Sequence, residues 1–350
     1  MSRALEKPEL TEVRERYYEQ ISQHNMAPLW EVLHKLLSRE PITQATPYVW
    51  KYNEIRSTIL EAADIISAAE AERRVLVLEN PSMRGQTCIT ESLYAGLQLI
   101  MPGEIAPTHR HSPAALRFIV EGTRAFTALN GEKSYMEPGD LILTPSWVWH
   151  DHGHEGDVPV VWLDGLDIPL IRHLGPMFIE TYPDEFHPET YRSGDNMARY
   201  GANMLPMDRS FETDNSPVFH YPYAKTRDAL TTLAKSSEVD PHHGIKLEYI
   251  NPVTGGPCMP TLSTFMQYLP KGFDTKTYQS TAAWVYTPVE GTGRTIIGEE
   301  VIEWGPQDVF VIPAWYPHHH ETEDEALLFS FSDKAVHDKL GLFKEKKHDS

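Results

Sequence analysis

Residues 103–111 read G-E-I-A-P-T-H-R-H, a proline-flanked run of strand character that carries two histidines one residue apart. Side chains alternate between the two faces of a strand, so His109 and His111 project to the same side. Two imidazoles presented together can chelate a metal ion rather than merely touch one. Paired histidines also occur on wetted strand faces, so the reading turns on what the surrounding chain adds.

Short β-type runs surround this stretch, at 75–78, 87–93, 97–101, 116–120, 125–129, 140–144 and 158–164, punctuated by Gly, Pro and the hairpin pair Asn130-Gly131. Many short strands at this spacing predict an all-β sandwich or barrel. A second β-rich block, 246–332, repeats the first. Val120-Glu121-Gly122-Thr123 returns 169 residues later as Val289-Glu290-Gly291-Thr292, and Pro145-Ser146-Trp147 returns 168 residues later as Pro313-Ala314-Trp315. Self-similarity at one offset predicts two barrels of common ancestry. The expected order is a helical arm over 1–73, a first barrel over 74–167, a linker over 168–245, a second barrel over 246–335 and a tail over 336–350. Within the arm, apolar spacing predicts helices over 9–39, broken near Asn25 and Pro28, and over 53–72. Within the linker it predicts one short helix over 226–235. The charged end from Phe343 onward is expected to be mobile.

Acidic residues outnumber basic ones by 50 to 31, for a formal charge of −19. Such a chain repels phosphates overall, which argues against nucleic acid or an anionic membrane as its partner. A few buried arginines can still build a local positive pocket for a small acid. The two cysteines, Cys88 and Cys258, are far apart and lack metal-type spacing, which fits a reducing cytoplasm. The first ten residues lack the apolar core of a signal peptide, and no run of about eighteen apolar residues predicts a membrane span.

The pattern G103-x5-H109-x-H111, followed by G-D-L-I-L-T-P over 139–145 and then His150, resembles the two motifs of the cupin superfamily, small β-barrels that hold one metal inside. The resemblance implies His109, His111 and His150 as ligands. Where that family usually supplies a Glu, four residues beyond His111, this chain has Ala115, leaving three neutral imidazoles and no carboxylate. His152 and His154 continue the alternation from His150. His152 is expected beside the site and His154 in a solvent-exposed loop. In the second block Tyr278 and Ser280 stand at the His-x-His positions and only His318 remains, so a metal is expected in the first barrel alone. Three histidines leave up to three cis positions open on an octahedral ion. Their neutrality leaves its charge uncompensated, which favours an anionic, chelating substrate.

Over most of its length the chain also resembles gentisate 1,2-dioxygenases. The likeness is carried by 73–81 (R-R-V-L-V-L-E-N-P), 92–100 (S-L-Y-A-G-L-Q-L-I), 107–122 (P-T-H-R-H-S-P-A-A-L-R-F-I-V-E-G) and 145–152 (P-S-W-V-W-H-D-H). It implies a mainly β bicupin with a helical arm, one Fe(II) per subunit, a homotetramer, and cleavage of gentisate by dioxygen to maleylpyruvate. Arg117 lies six residues beyond His111, an even spacing along one strand, so its guanidinium is expected inside the barrel, paired with the substrate carboxylate. Arg73 resembles a second carboxylate contact, with Arg74 as a competitor for that role. Asp164 and His152 resemble groups near the ring hydroxyls, either of which can move a proton. Tyr94, Gly96 and Gln98 alternate on one strand face and resemble pocket walls, Gly96 leaving room for the ring. Within the same class, salicylate or 1-hydroxy-2-naphthoate is the alternative substrate. The alternative of another class is a non-catalytic bicupin that binds a small organic acid, whose mark would be loss of the ligands in both barrels.

Overall fold

The computed structural model describes residues 8–207, 214–236 and 238–349; the expectations for residues 1–7 and for Ser350 lie outside them. The chain divides into two compact units, one ending at Ile42 and one from Thr43 onward. In the first, helices Pro8–Ser22 and Leu29–Leu36 are separated by a turn in which Asn25 has a left-handed φ of 55°. The indole of Trp30 donates to Tyr18 Oη at 2.7 Å, and that hydroxyl donates to Glu31.

The second unit is mainly β, with two barrels, each a six-stranded and a five-stranded antiparallel sheet. In the first barrel the six-stranded sheet runs His220–Tyr221, Leu141–Thr144, Ala115–Glu121, Val160–Leu166, Tyr94–Ile100, Arg74–Val77. Its five-stranded partner runs Ile179–Thr181, Ile105–His111, His150–His154, Ala125–Leu129, Glu132–Met136. The second barrel repeats this order. Its sheets run Tyr48–Trp50, Val309–Ile312, Trp284–Glu290, Ala326–Ser332, Ser263–Leu269, Ile245–Glu248, and Glu300–Trp304, Gly293–Ile297, His318–Thr322, Tyr278–Ser280, Glu345–Lys347.

The central strands of the six-stranded sheets are buried on both faces, which is why they read as near-continuous apolar runs. One face lines a barrel and the other meets the neighbouring barrel. Phe118 of the first barrel stacks on Phe329 of the second at 4.0 Å and 11°. A stacked aromatic pair of this kind adds about 0.5–1.5 kcal/mol beyond the burial of its area. A side chain at Gly165 would run into Phe331, its Cβ coming within 2.8 Å of that ring, so glycine sets how closely the barrels approach.

Several segments differ from expectation, each through tertiary pairing. Residues 43–73, expected in the arm, lie with the barrels, since Tyr48–Trp50 pairs with Val309–Ile312 and helix Tyr52–Ile65 follows directly. Residues 87–93 form no strand; the amides of Ile89 and Thr90 both turn back to the Leu93 carbonyl, and Ile89 and Leu93 plug the core from a loop. The linker is more than a wrap. It carries helices Ile168–Leu174, Asp195–Tyr200 and Tyr223–Ala234, and its strands Ile179–Thr181 and His220–Tyr221 complete the first barrel. The end of the chain is ordered rather than mobile: after helix Lys334–Leu340, Glu345–Lys347 pairs with Tyr278–Ser280 as an edge strand. Among the described residues no helix is long and apolar enough to cross a membrane.

Candidate metal and substrate site

His109 and His111 lie on strand Ile105–His111, and His150 opens the adjacent antiparallel strand directly opposite His109. Alternation turns all three into the barrel and sends Arg110 outward, where it pairs with Glu180 and lies 4.5 Å from the Trp149 ring. The three imidazoles each offer a ligand atom within 4.8 Å of the others. Among the described residues, no other group of three His, Cys, Asp or Glu side chains comes close enough to share an ion.

Backbone carbonyls hold each ring. His109 Nδ1 lies 2.7 Å from Pro107 O, His111 Nδ1 2.7 Å from Pro113 O, and His150 Nδ1 2.8 Å from Val148 O. A carbonyl only accepts, so each Nδ1 carries the proton and each Nε2 presents a lone pair. The Nε2 atoms of His109 and His150 are buried without a partner, a costly state that a metal ion would relieve. Burial first, with the charges of Arg73 and Arg117, lowers the pKa of His109 to about 2; burial lowers that of His111 to about 4 and that of His150 well below the ordinary value. The rings therefore stay neutral and ready to ligate. The donor set suits a divalent transition metal without selecting one.

Arg117 enters from the opposite sheet. Ser112-Pro113-Ala114 breaks the expected continuous strand, so Arg117 sits on Ala115–Glu121, facing the histidines rather than following them. Its Nη1 donates to Thr144 Oγ1 at 3.1 Å, and its Nε lies 3.4 Å from Asp164 Oδ1 without forming an aligned hydrogen bond. Burial pulls Arg117 down to about 10 and pushes Asp164 up to about 6, each shift opposed by the partner's charge. Gly96, Asp164 and Arg117 are direct cross-strand neighbours on three adjacent strands.

Of the two neighbouring arginines, Arg74 turns away, donating to Ile66 O at 2.8 Å and pairing with Glu104. Arg73 is the one whose charge reaches Asp164, His109 and His111, and burial lowers its own pKa. Gln98 is buried with Oε1 unpartnered. Tyr94 is buried too, which pushes its phenol up. The space beside Gly96 is already taken. A Cβ there would meet Val75 Cγ1 at 2.6 Å and the Tyr94 hydroxyl at 3.0 Å, so the glycine lets those two close in rather than leaving room for a ring.

His152 is fully buried, its ring 5.4 Å from that of His150, with Nδ1 2.9 Å from Thr127 Oγ1 and Nε2 unpartnered. His154 is buried rather than exposed, because the strand runs on to it and the following turn folds back; its Nε2 lies 2.5 Å from Val158 O. Sequence reading missed Thr127, Thr144 and Trp162. The Trp162 indole N–H is buried and unpartnered, 6.1 Å ring to ring from His152, and its even spacing from Asp164 was the available signal. Thr127 is visible only through its repeat, Thr295.

In the second barrel Tyr278 stands opposite His318, as His109 stands opposite His150. Tyr286, at the Arg117 position by the 169-residue offset, accepts a hydrogen bond from Lys246 Nζ at 2.9 Å, and that ammonium lies 4.1 Å from the Trp284 ring.

A cupin-domain family model matches residues 96–166. The chain is 48% identical to gentisate 1,2-dioxygenase 1 of Aquipseudomonas alcaligenes over 98% of its own length and 99% of the relative. It is 34% identical to a 5-aminosalicylate 1,2-dioxygenase of Comamonas sp, covering 94% and 88% of the two chains. The crystal structure of salicylate 1,2-dioxygenase from Pseudoaminobacter salicylatoxidans, adducts with gentisate, superposes with a TM-score of 0.92 at 32% identity, covering 99% of this chain and 96% of that one.

Proposed function

The chain belongs to the gentisate 1,2-dioxygenase family and is a dioxygenase, and we propose that it cleaves gentisate with dioxygen to maleylpyruvate, using one Fe(II) per subunit. The observation that carries this reading is the His109, His111 and His150 group, with its proton-bearing nitrogens pinned and its lone pairs converging. When bound, ferrous iron supplies a redox-active centre with positions open to a chelating hydroxy acid and to dioxygen.

The chain's own residues supply the rest. Arg117 and Arg73 receive the carboxylate, Arg117 with a planar fork suited to bidentate contact. The substrate's charge also compensates two guanidinium groups that a single carboxylate, Asp164, now faces. Asp164, raised to about 6, and His152 stand ready to exchange protons with ring hydroxyls. Burial of these groups excludes water, which strengthens every charge interaction among them. Gln98 and Tyr94 form walls, and the Tyr94 hydroxyl supports a substrate that carries a second hydroxyl. Family likeness supports a homotetramer, and two buried, unpaired cysteines suit a cytoplasmic enzyme.

Oxygen uptake by iron-loaded protein across gentisate, salicylate, 5-aminosalicylate and 1-hydroxy-2-naphthoate tests the proposal. Gentisate should give the highest rate and a ring-opened product. No uptake with any of the four would overturn it.

A further inference from the structure

Four imidazoles line the inside of the first barrel, and carbonyls dictate the tautomer of three. His152 differs, because the group on its Nδ1 is the hydroxyl of Thr127, which can either donate or accept. Thr127 is fully buried on the neighbouring strand, directly opposite His152, and its hydroxyl donates to Met136 Sδ at 3.4 Å. The polar hydrogens decide the arrangement. With the hydroxyl proton on the sulfur, His152 Nδ1–H donates to Thr127 Oγ1 and both hydrogens have partners. With the hydroxyl proton on Nδ1, the imidazole hydrogen moves to Nε2, which has no partner. Buried orphan donors are the rarer and costlier arrangement.

The second barrel provides an independent contrast. Thr295 Oγ1 lies 2.8 Å from His320 Nδ1, repeating the first pair 168 residues later. At the Met136 position stands Trp304, whose indole N–H donates to Thr295 Oγ1 at 2.8 Å. An indole N–H cannot accept, so the Thr295 proton goes to His320 Nδ1 and His320 carries its own on Nε2. One residue per barrel, Met136 or Trp304, thus sets opposite tautomers in otherwise matching pairs.

We infer that Thr127 is a positioning residue: relayed to Met136, it holds His152 with its Nε2 lone pair turned into the site, where it accepts the proton of a substrate hydroxyl. The catalytic half of this inference rests on the dioxygenase reading; the tautomer half does not. Two measurements separate them. In metal-free protein labelled with 15N-histidine, His152 Nε2 should resonate as an unprotonated, pyridine-type nitrogen and His320 Nε2 as a protonated one, with His152→Ala and His320→Ala assigning the signals. In iron-loaded protein, the isosteric Thr127→Val should lower kcat by roughly 10–100-fold, with KM and iron content near wild type. Thr127→Ser should restore most of the rate, and Thr295→Val should leave it unchanged. A protonated His152 Nε2, wild-type kcat in Thr127→Val, or equal impairment of the Ser and Val variants would each overturn the assignment. Absence of turnover in the wild type would sink the dioxygenase reading, while the resonances would still decide the tautomer.

Discussion

In the first barrel, three imidazoles, Arg117, Asp164, Gln98 and Trp162 face one another with buried atoms left unpartnered; at the matching places in the second, aromatic rings fill the space. There Tyr286 stacks on Phe310 at 5.1 Å and 7°, and Trp304 lies nearly parallel to Phe310. The backbone frame around the two interiors is nonetheless the same. Trp147 and Trp315 both adopt left-handed φ, 64° and 65°, and donate their amides to His111 O at 2.9 Å and Ser280 O at 2.7 Å. Asp167 accepts from the Ala114 amide and Asp333 from the Ala283 amide, each at 2.9 Å. A frame that persists where the ligands are gone does not depend on a metal. The chemistry lies in a few interior side chains, and the second barrel's contribution is the packed wall that Phe329 and Phe331 present to the first.

The largest effect that could break this contrast is at the ligands. His109→Ala should abolish iron binding and turnover together, with the circular dichroism spectrum unchanged, whereas His318→Ala should change neither. Retained iron in His109→Ala would contradict the ligand set. Next comes the wall between the barrels. Phe329→Ala should cost about 3–5 kcal/mol in chemical denaturation, and the two barrels should still unfold in one transition; loss of the second barrel alone would mean they are independent. Arg117→Met should lower kcat/KM for gentisate by an amount equivalent to about 2–4 kcal/mol, while Tyr286→Phe at the matching place should leave it unaltered.

The smallest effect concerns Lys246, which burial brings from 10.5 down to about 7. A lysine with a lowered folded pKa costs stability where the unfolded chain is protonated. That cost is full below about 7, shrinks as the pH rises toward 10.5 and vanishes above it. The stability difference between wild type and Lys246→Met should therefore move in favour of wild type, by on the order of 1 kcal/mol, as the pH rises through that window. A difference that does not vary with pH would show that the ammonium remains solvated.

The repeat, the histidine group and the fold class were legible because each rests on short-range spacing: period-two alternation, hairpin punctuation and one constant offset. Arg117 was found for a reason that failed, since Pro113 ends the strand and the side chain arrives from the facing sheet. The completing strands 48–50, 179–181, 220–221 and 345–347 carry no pattern of their own. Two or three residues become a strand only when an exposed edge is waiting for them. Thr127 and Trp162 escaped for a related reason. A buried polar side chain is chosen by the residue opposite it in the register, and single-strand periodicity does not report register.

Anaerobic titration of metal-free protein with Fe(II), followed by oxygen uptake with gentisate, tests the central claim most directly. The account predicts one dioxygen consumed per gentisate, at a rate that rises with iron up to one ion per chain and then stays flat, in wild type and in His318→Ala alike. A rate that keeps rising to two ions per chain, or no uptake at any loading, would contradict it.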